Sequence, residues 1–95
     1  MGVYVVSYDL MNNETPKDYR RVIGAIKELG DAKEFQRSVW LLKTTKSTTE
    51  IRDYLKTYID SDDSLFVGNV VSYASSNLPK DISDTMFSDW SKPVS

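Results

Sequence analysis

The chain has 95 residues, no cysteine, no histidine and a formal net charge of −2. The missing cysteine excludes a disulfide framework, thiolate metal ligation and cysteine catalysis, and the missing histidine excludes histidine acid–base chemistry and the usual zinc sites. Any metal, with Mg²⁺ or Mn²⁺ the candidates, must sit on oxygen ligands, and any nucleic-acid contact must rest on a local basic patch.

With 40% hydrophobic and 27% charged residues, the composition is that of one ordinary domain. The expected core covers residues 1–72, with a C-terminal extension over 73–95. No basic leader and no long apolar run is visible, so neither a signal peptide nor a membrane contact is expected, and the cytoplasm is the expected location.

Val3 to Asp9 reads as a strand. Tyr4, Val6 and Tyr8 fall on one face and Val3 and Val5 on the other. Apolar residues on both faces predict a central position in a sheet. The run ends in Asp9, where a rigid strand hands over to a loop, a common place for ligand or catalytic groups. The alternative is a turn aspartate capping the Met11–Asn13 loop.

Thr15, Pro16 and Asp18 form an N-cap, a first-turn proline and a capping-box acid. Tyr19, Val22, Ile23, Ile26 and Leu29 then recur at helical spacing, and Gly30 stands at the stop. The spacing predicts a helix over Pro16 to Leu29. Its other face carries Lys17, Arg20 and Lys27 within about 80° of one another, with Gly24 between the last two and Arg21 at the flank. This is either a phosphate-binding stripe or a solvated helix face.

Ala32 to Thr45 is extended, and too long for one average strand. A bend near Gln36 to Ser38 would make it two antiparallel strands. Trp40 within it is most simply a core or interface residue. Ser47 and Glu50 mark a second capping box, and Ile51, Tyr54, Leu55, Tyr58 and Ile59 an amphipathic helix over Thr48 to Ile59. Asp60-Ser61-Asp62-Asp63 reads as a solvated polar turn, since it lacks the glycine and closing glutamate of a calcium loop. Leu65 to Val71 is a further strand, again apolar on both faces. Ile82, Met86 and Trp90 recur every four residues, with Phe87 beside them, which predicts a short terminal helix.

The order is therefore strand, helix, two strands, helix, strand. That is the α+β, ferredoxin-like β-α-β-β-α-β arrangement: an antiparallel sheet with two helices on one face, plus a C-terminal tail with a short helix. Two helices cover one sheet face only. The other must be covered by the C-terminal segment or by a second copy, and a homodimer joined sheet to sheet is expected.

With these elements in order, the chain resembles the second of the two universal CRISPR-associated adaptation proteins. The resemblance rests on Tyr8-Asp9 at the end of the first strand, Arg20-Arg21 with Gly30 on the helix, Gln36-Arg37-Ser38-Val39-Trp40, and Asp62-Asp63-Ser64-Leu65 before the last strand. The acidic balance and Leu41-Leu42 after Trp40 bring it closer to small SinR-like proteins. Toxin ribonucleases of the virulence-associated D type share the fold. The resemblance implies a homodimer. It implies Asp9 as metal or catalytic residue, meeting its mate across a shared divalent ion, and Arg20, Arg21 and Arg37 on phosphate. A CRISPR integrase partner is implied if the role is adaptation.

Four functions follow as expectations. Binding of nucleic acid or a small nucleotide without efficient turnover comes first, with the basic stripe on phosphate and Tyr8 and Trp40 stacking a base if exposed. A metal-dependent ribonuclease or deoxyribonuclease using Asp9 is the alternative. A phage or accessory protein that sequesters a nucleotide signal is another, and a protein–protein adaptor using the tail is the last.

Overall fold

The computed structural model describes residues 2–11 and 15–88. Their elements are β1 (Gly2–Asp9), α1 (Pro16–Leu29), β2 (Asp31–Gln36), β3 (Val39–Thr44), α2 (Thr48–Lys56), β4 (Ser64–Asn69) and α3 (Lys80–Phe87). The strands form one four-stranded sheet in the order β2-β3-β1-β4. Every neighbouring pair is antiparallel, so β1 and β2 run parallel with β3 between them. The fold is α+β. No helix among the described residues is long and apolar enough to cross a membrane.

The doubly apolar β1 is central, as its sequence predicts: Val6 stands opposite Trp40 of β3 on one side and Val67 of β4 on the other. Alternation sends its side chains into two separate cores. Val6 and Tyr8 join Trp40 and Leu42 of β3 beneath α1, through Val22 and Ile26, and α2, through Ile51 and Leu55. Val3 points the other way. It meets Leu41, Val70, Ile82 and Met86, with Val5 and Phe35 packed alongside.

That second core decides between two coverings. α3 lies over β2 and β3 on the face opposite α1 and α2. The need that predicts sheet-to-sheet pairing with a second copy is thus met within one chain over this part of the face. Trp90, the last residue of the predicted apolar stripe, lies outside the described residues. The other two, Ile82 and Met86, are buried.

The extended stretch turns at Arg37 and Ser38, where no Asn-Gly or Asp-Gly marks it. Ser38 takes the left-handed conformation itself (φ 59°). Its N–H donates to Glu34 Oε2 at 3.1 Å, and its carbonyl accepts from the Tyr8 N–H at 3.2 Å. These bonds hold the turn without glycine. α2 stops at Lys56 rather than Ile59, and the last strand runs over 64–69 rather than 65–71. Residues 57–59 still pack, through Tyr58 and Ile59, but as a turn.

Gly30 ends α1 for a reason other than the expected left-handed cap. Its φ of 163° is extended backbone open to any residue. Its missing side chain matters instead: a Cβ there would lie 2.2 Å from the Lys43 carbonyl oxygen. The Thr44 hydroxyl, buried beside it, donates to the Leu29 carbonyl at 2.7 Å and satisfies one of the helix's last acceptors.

Candidate nucleic-acid interface

α1 is built to show one face to water. Thr15 Oγ1 accepts the Asp18 N–H and Asp18 Oδ2 accepts the Thr15 N–H at 2.9 Å, the reciprocal bonds of a capping box. The Thr15 N–H bond, first, and the nearby Arg21 and Lys17 charges hold the Asp18 carboxyl below its ordinary range. Val22, Ala25 and Ile26 are buried against the sheet. Helical periodicity then turns Lys17, Arg20, Gly24 and Lys27 outward, and all four are exposed.

From Lys17 to Lys27 the stripe covers about 15 Å of helix axis. None of its cations forms an ion pair with another described residue. A Cβ at Gly24 would meet nothing within 4 Å, so the middle of the stripe is open backbone surface. The Lys27 ammonium lies 5.8 Å from the centre of the Trp40 ring, an attraction that fixes the stripe's C-terminal end.

The other predicted cations are elsewhere. Arg21 is exposed but turns toward the loop after α2, where it lines a small cleft with Asp18, Tyr58, Asp60 and Asp63. Its charge is opposed by the acids around it. Arg37 stands exposed on the β2–β3 turn, at the end of the sheet where Asp9 emerges. The four arginines and lysines grouped in the sequence reading thus split into a stripe of Lys17, Arg20 and Lys27 and one outlier, Arg21.

Tyr8 and Trp40 cannot stack a base. They are 4% and 5% exposed, both within the core beneath α1 and α2. Trp40 Nε1 donates to the Tyr8 hydroxyl at 3.3 Å, so each satisfies the other's polar atom in the interior. Burial, first, raises the Tyr8 pKa above that of an ordinary tyrosine. The simpler reading of Trp40 as a core residue is the one the structure bears out.

Asp9 is exposed and pairs in register with Ser64. Its carboxylate makes no hydrogen bond to a described residue. The loop after β1 is held by another acid: Asp63 Oδ1 accepts the Met11 N–H at 2.8 Å, and Asp63 Oδ2 accepts the Asp60 N–H at 2.8 Å. Asn12 and Asn13, also part of the loop Asp9 was expected to cap, lie outside the described residues. Sequence reasoning missed the role of Asp63. Its signal was present in Asp60-x-x-Asp63, the spacing at which an aspartate closes a turn on the backbone three residues earlier.

Asp9, Asp60, Asp62 and Asp63 therefore gather at one end of the sheet. Asp60, Asp62 and Asp63 can each bring a carboxylate oxygen within 4.8 Å of the others. Oxygen ligands of this kind suit a hard divalent cation. Both oxygens of Asp63 are, however, already engaged by backbone N–H groups. Phosphate approaching this end without a cation meets repulsion, whereas phosphate approaching α1 does not.

No family model matches the chain.

Proposed function

We propose that the chain is a ferredoxin-like protein that binds nucleic acid through its phosphate backbone, using the outward face of α1. The observation that carries this reading is the row of Lys17, Arg20 and Lys27, exposed and, among the described residues, unpaired by acids, on a chain of net charge −2. The split β-α-β order of β1, α1 and β2, with β3 between the strands, supports the ferredoxin-like reading. The length of the stripe favours a polymer over a mononucleotide, because cations about 15 Å apart cannot all reach one phosphate group. With Tyr8 and Trp40 buried, neither of these aromatics faces the ligand, which favours recognition of backbone charge over base identity.

The test is fluorescence anisotropy with labelled single-stranded RNA, single-stranded DNA and duplex DNA over a range of salt. Binding should weaken steeply with salt and depend little on sequence. Each lost phosphate contact flattens the log–log slope by roughly 0.9 on duplex DNA and 0.7 on single strands. Changing Lys17, Arg20 and Lys27 together to alanine should remove about three such contacts. Arg21→Ala should do less, since Arg21 faces acids. Binding that survives the triple change with an unaltered salt slope would exclude the stripe.

A second reading is favoured by one observation, the exposed Asp9 carboxylate at the end of the central strand with no hydrogen bond to a described residue. We propose it as the divalent-ion ligand of a weak metal-dependent nuclease, with Mg²⁺ or Mn²⁺ bound by Asp9 and waters. The resemblance to the CRISPR-associated adaptation family supports this reading through Asp9 and the order of elements. The position of α3 over the sheet face is a departure from it.

A further inference from the structure

The two edges of the sheet are treated in opposite ways. β2 is guarded: Asp31, Lys33 and Glu34 put charges along it, and its pairing with β3 is irregular between Glu34 and Gln36. Charges and bulges are the usual devices that stop an edge strand from pairing with another chain. β4 has neither. Among the described residues it pairs only with β1. Its sequence Ser-Leu-Phe-Val-Gly-Asn carries no charge, and none follows until Lys80, in a chain with 27% charged residues.

The flank of this edge is apolar and open. Phe66 is 63% exposed, on the part of the sheet face that α3 leaves uncovered. Its ring rests on Gly68, where an added Cβ would come 3.0 Å from a ring carbon. On the other face an open groove of ≈ 260 Å³ runs beside β4 and α2, lined by Thr48, Thr49, Arg52, Leu65 and Val67.

From this contrast we infer that β4 is the docking edge for β4 of a second copy, joined antiparallel about a two-fold axis into a continuous eight-stranded sheet. About a two-fold axis each residue of a self-paired strand lies across from a residue of the same strand, so an uncharged strand without a bulge brings no charge and no irregularity into the seam. β4 is the edge that meets this condition, and β2 is not. Centred on Val67, the pairing runs over Ser64 to Val70 and sets Phe66 across from the partner's Gly68. Each ring then covers a glycine that lacks a side chain of its own. The exposed backbone N–H and C=O groups along the edge find partners, and Phe66 leaves water.

This arrangement differs from a face-to-face dimer in what it does with the functional residues. The axis stands perpendicular to the sheet, so both copies of α1 lie on the same side. Asp9 pairs with Ser64, three residues from the centre of β4, and the two Asp9 residues end up about 20 Å apart along the strands. They cannot share an ion. The pairing leaves the charge-based binding reading intact whether or not it forms, because α1 is remote from the β4 edge.

The test is the oligomeric state of the full chain by sedimentation velocity from low to high micromolar concentration, combined with amide hydrogen exchange. The wild type should shift from monomer to dimer, and amides within 64–70 should gain protection as the dimer fills. Phe66→Lys and, separately, Asn69→Lys each put a positive charge into an otherwise uncharged seam at an exposed position, and both should stay monomeric over the same range. Circular dichroism should show both still folded. A wild type that remains monomeric at several hundred micromolar overturns the inference. So does a dimer that both lysine variants form as readily as the wild type, which would place the contact elsewhere.

Discussion

At the scale of single residues, the same type does different work according to its neighbours. Four aspartates gather near the C-terminal end of β1. Asp63 is spent on two backbone N–H groups, and Asp9 on none among the described residues. This gives the Asp9→Asn substitution a clear meaning. Asparagine keeps the size of the side chain and removes its charge, so the fold should survive with a change in stability within about 0.5 kcal/mol. If Asp9 holds the ion, Mn²⁺ should raise the melting temperature of the wild type and not of the variant, and any Mn²⁺-dependent cleavage should disappear with it. Equal cleavage by both proteins would remove the nuclease reading and leave the α1 reading untouched. Tyr8 and Trp40 teach a related point. An aromatic beside a chain of polar residues can look like a base-stacking platform, but the Trp40 Nε1 bond to the Tyr8 hydroxyl shows two amphipathic side chains closing on each other inside a core.

At the scale of elements, the helices were the most legible part of the chain, because their signals are local. Thr15 with Asp18 and Ser47 with Glu50 each bond reciprocally, and the start of both helices falls where those residues predict. Each box also makes stability depend on pH. The Asp18 carboxyl is held below its ordinary value of 3.8, chiefly by the Thr15 N–H, and the Glu50 carboxyl below 4.5, chiefly by the Ser47 N–H. A carboxyl lowered in the folded state contributes stability that is fully present above its unfolded value and lost as pH falls through the folded one. Thermal midpoints measured downward from pH 6 should therefore hold steady, then begin to fall near these ordinary values. The Asp18→Asn, Glu50→Gln variant should start lower and show a shallower acid decline. An identical decline in both proteins would assign acid sensitivity to other carboxylates. The β2–β3 turn was harder to place, because Arg37-Ser38 has no residue that usually takes positive φ. The Glu34 bond that supports Ser38 is visible only once the strands are paired. Gly30 looked like a left-handed cap, yet its reason is the carbonyl of Lys43, distant in sequence.

For the whole molecule, the sequence stated a need without saying what meets it. Val3 and Val5 on one face of β1, with Tyr4, Val6 and Tyr8 on the other, require layers on both sides of the sheet. A tail helix and a second copy leave the same local pattern in β1, which is why the choice was not legible there. α3 and the residues leading to it settle it for the β2–β3 side, where Ile82 and Met86 close on Val3 and Leu41. The outcome is a small second core in which each side chain matters. Met86 is fully buried, and its replacement by alanine should cost about 2–5 kcal/mol. That is a large share of the roughly 5–15 kcal/mol that holds a domain together. Met86→Ala should therefore lower the urea midpoint markedly and expose Val3, Leu41 and Phe35 enough to bind a hydrophobic dye. Under conditions where the variant remains folded, its affinity for nucleic acid should be unchanged, because α1 sits on the opposite face of the sheet. A loss below about 0.5 kcal/mol, the level of an ordinary surface substitution, would mean that α3 does not cover this face in solution. The bare face would then again call for a second copy, and sedimentation of the same variant would show whether one takes its place.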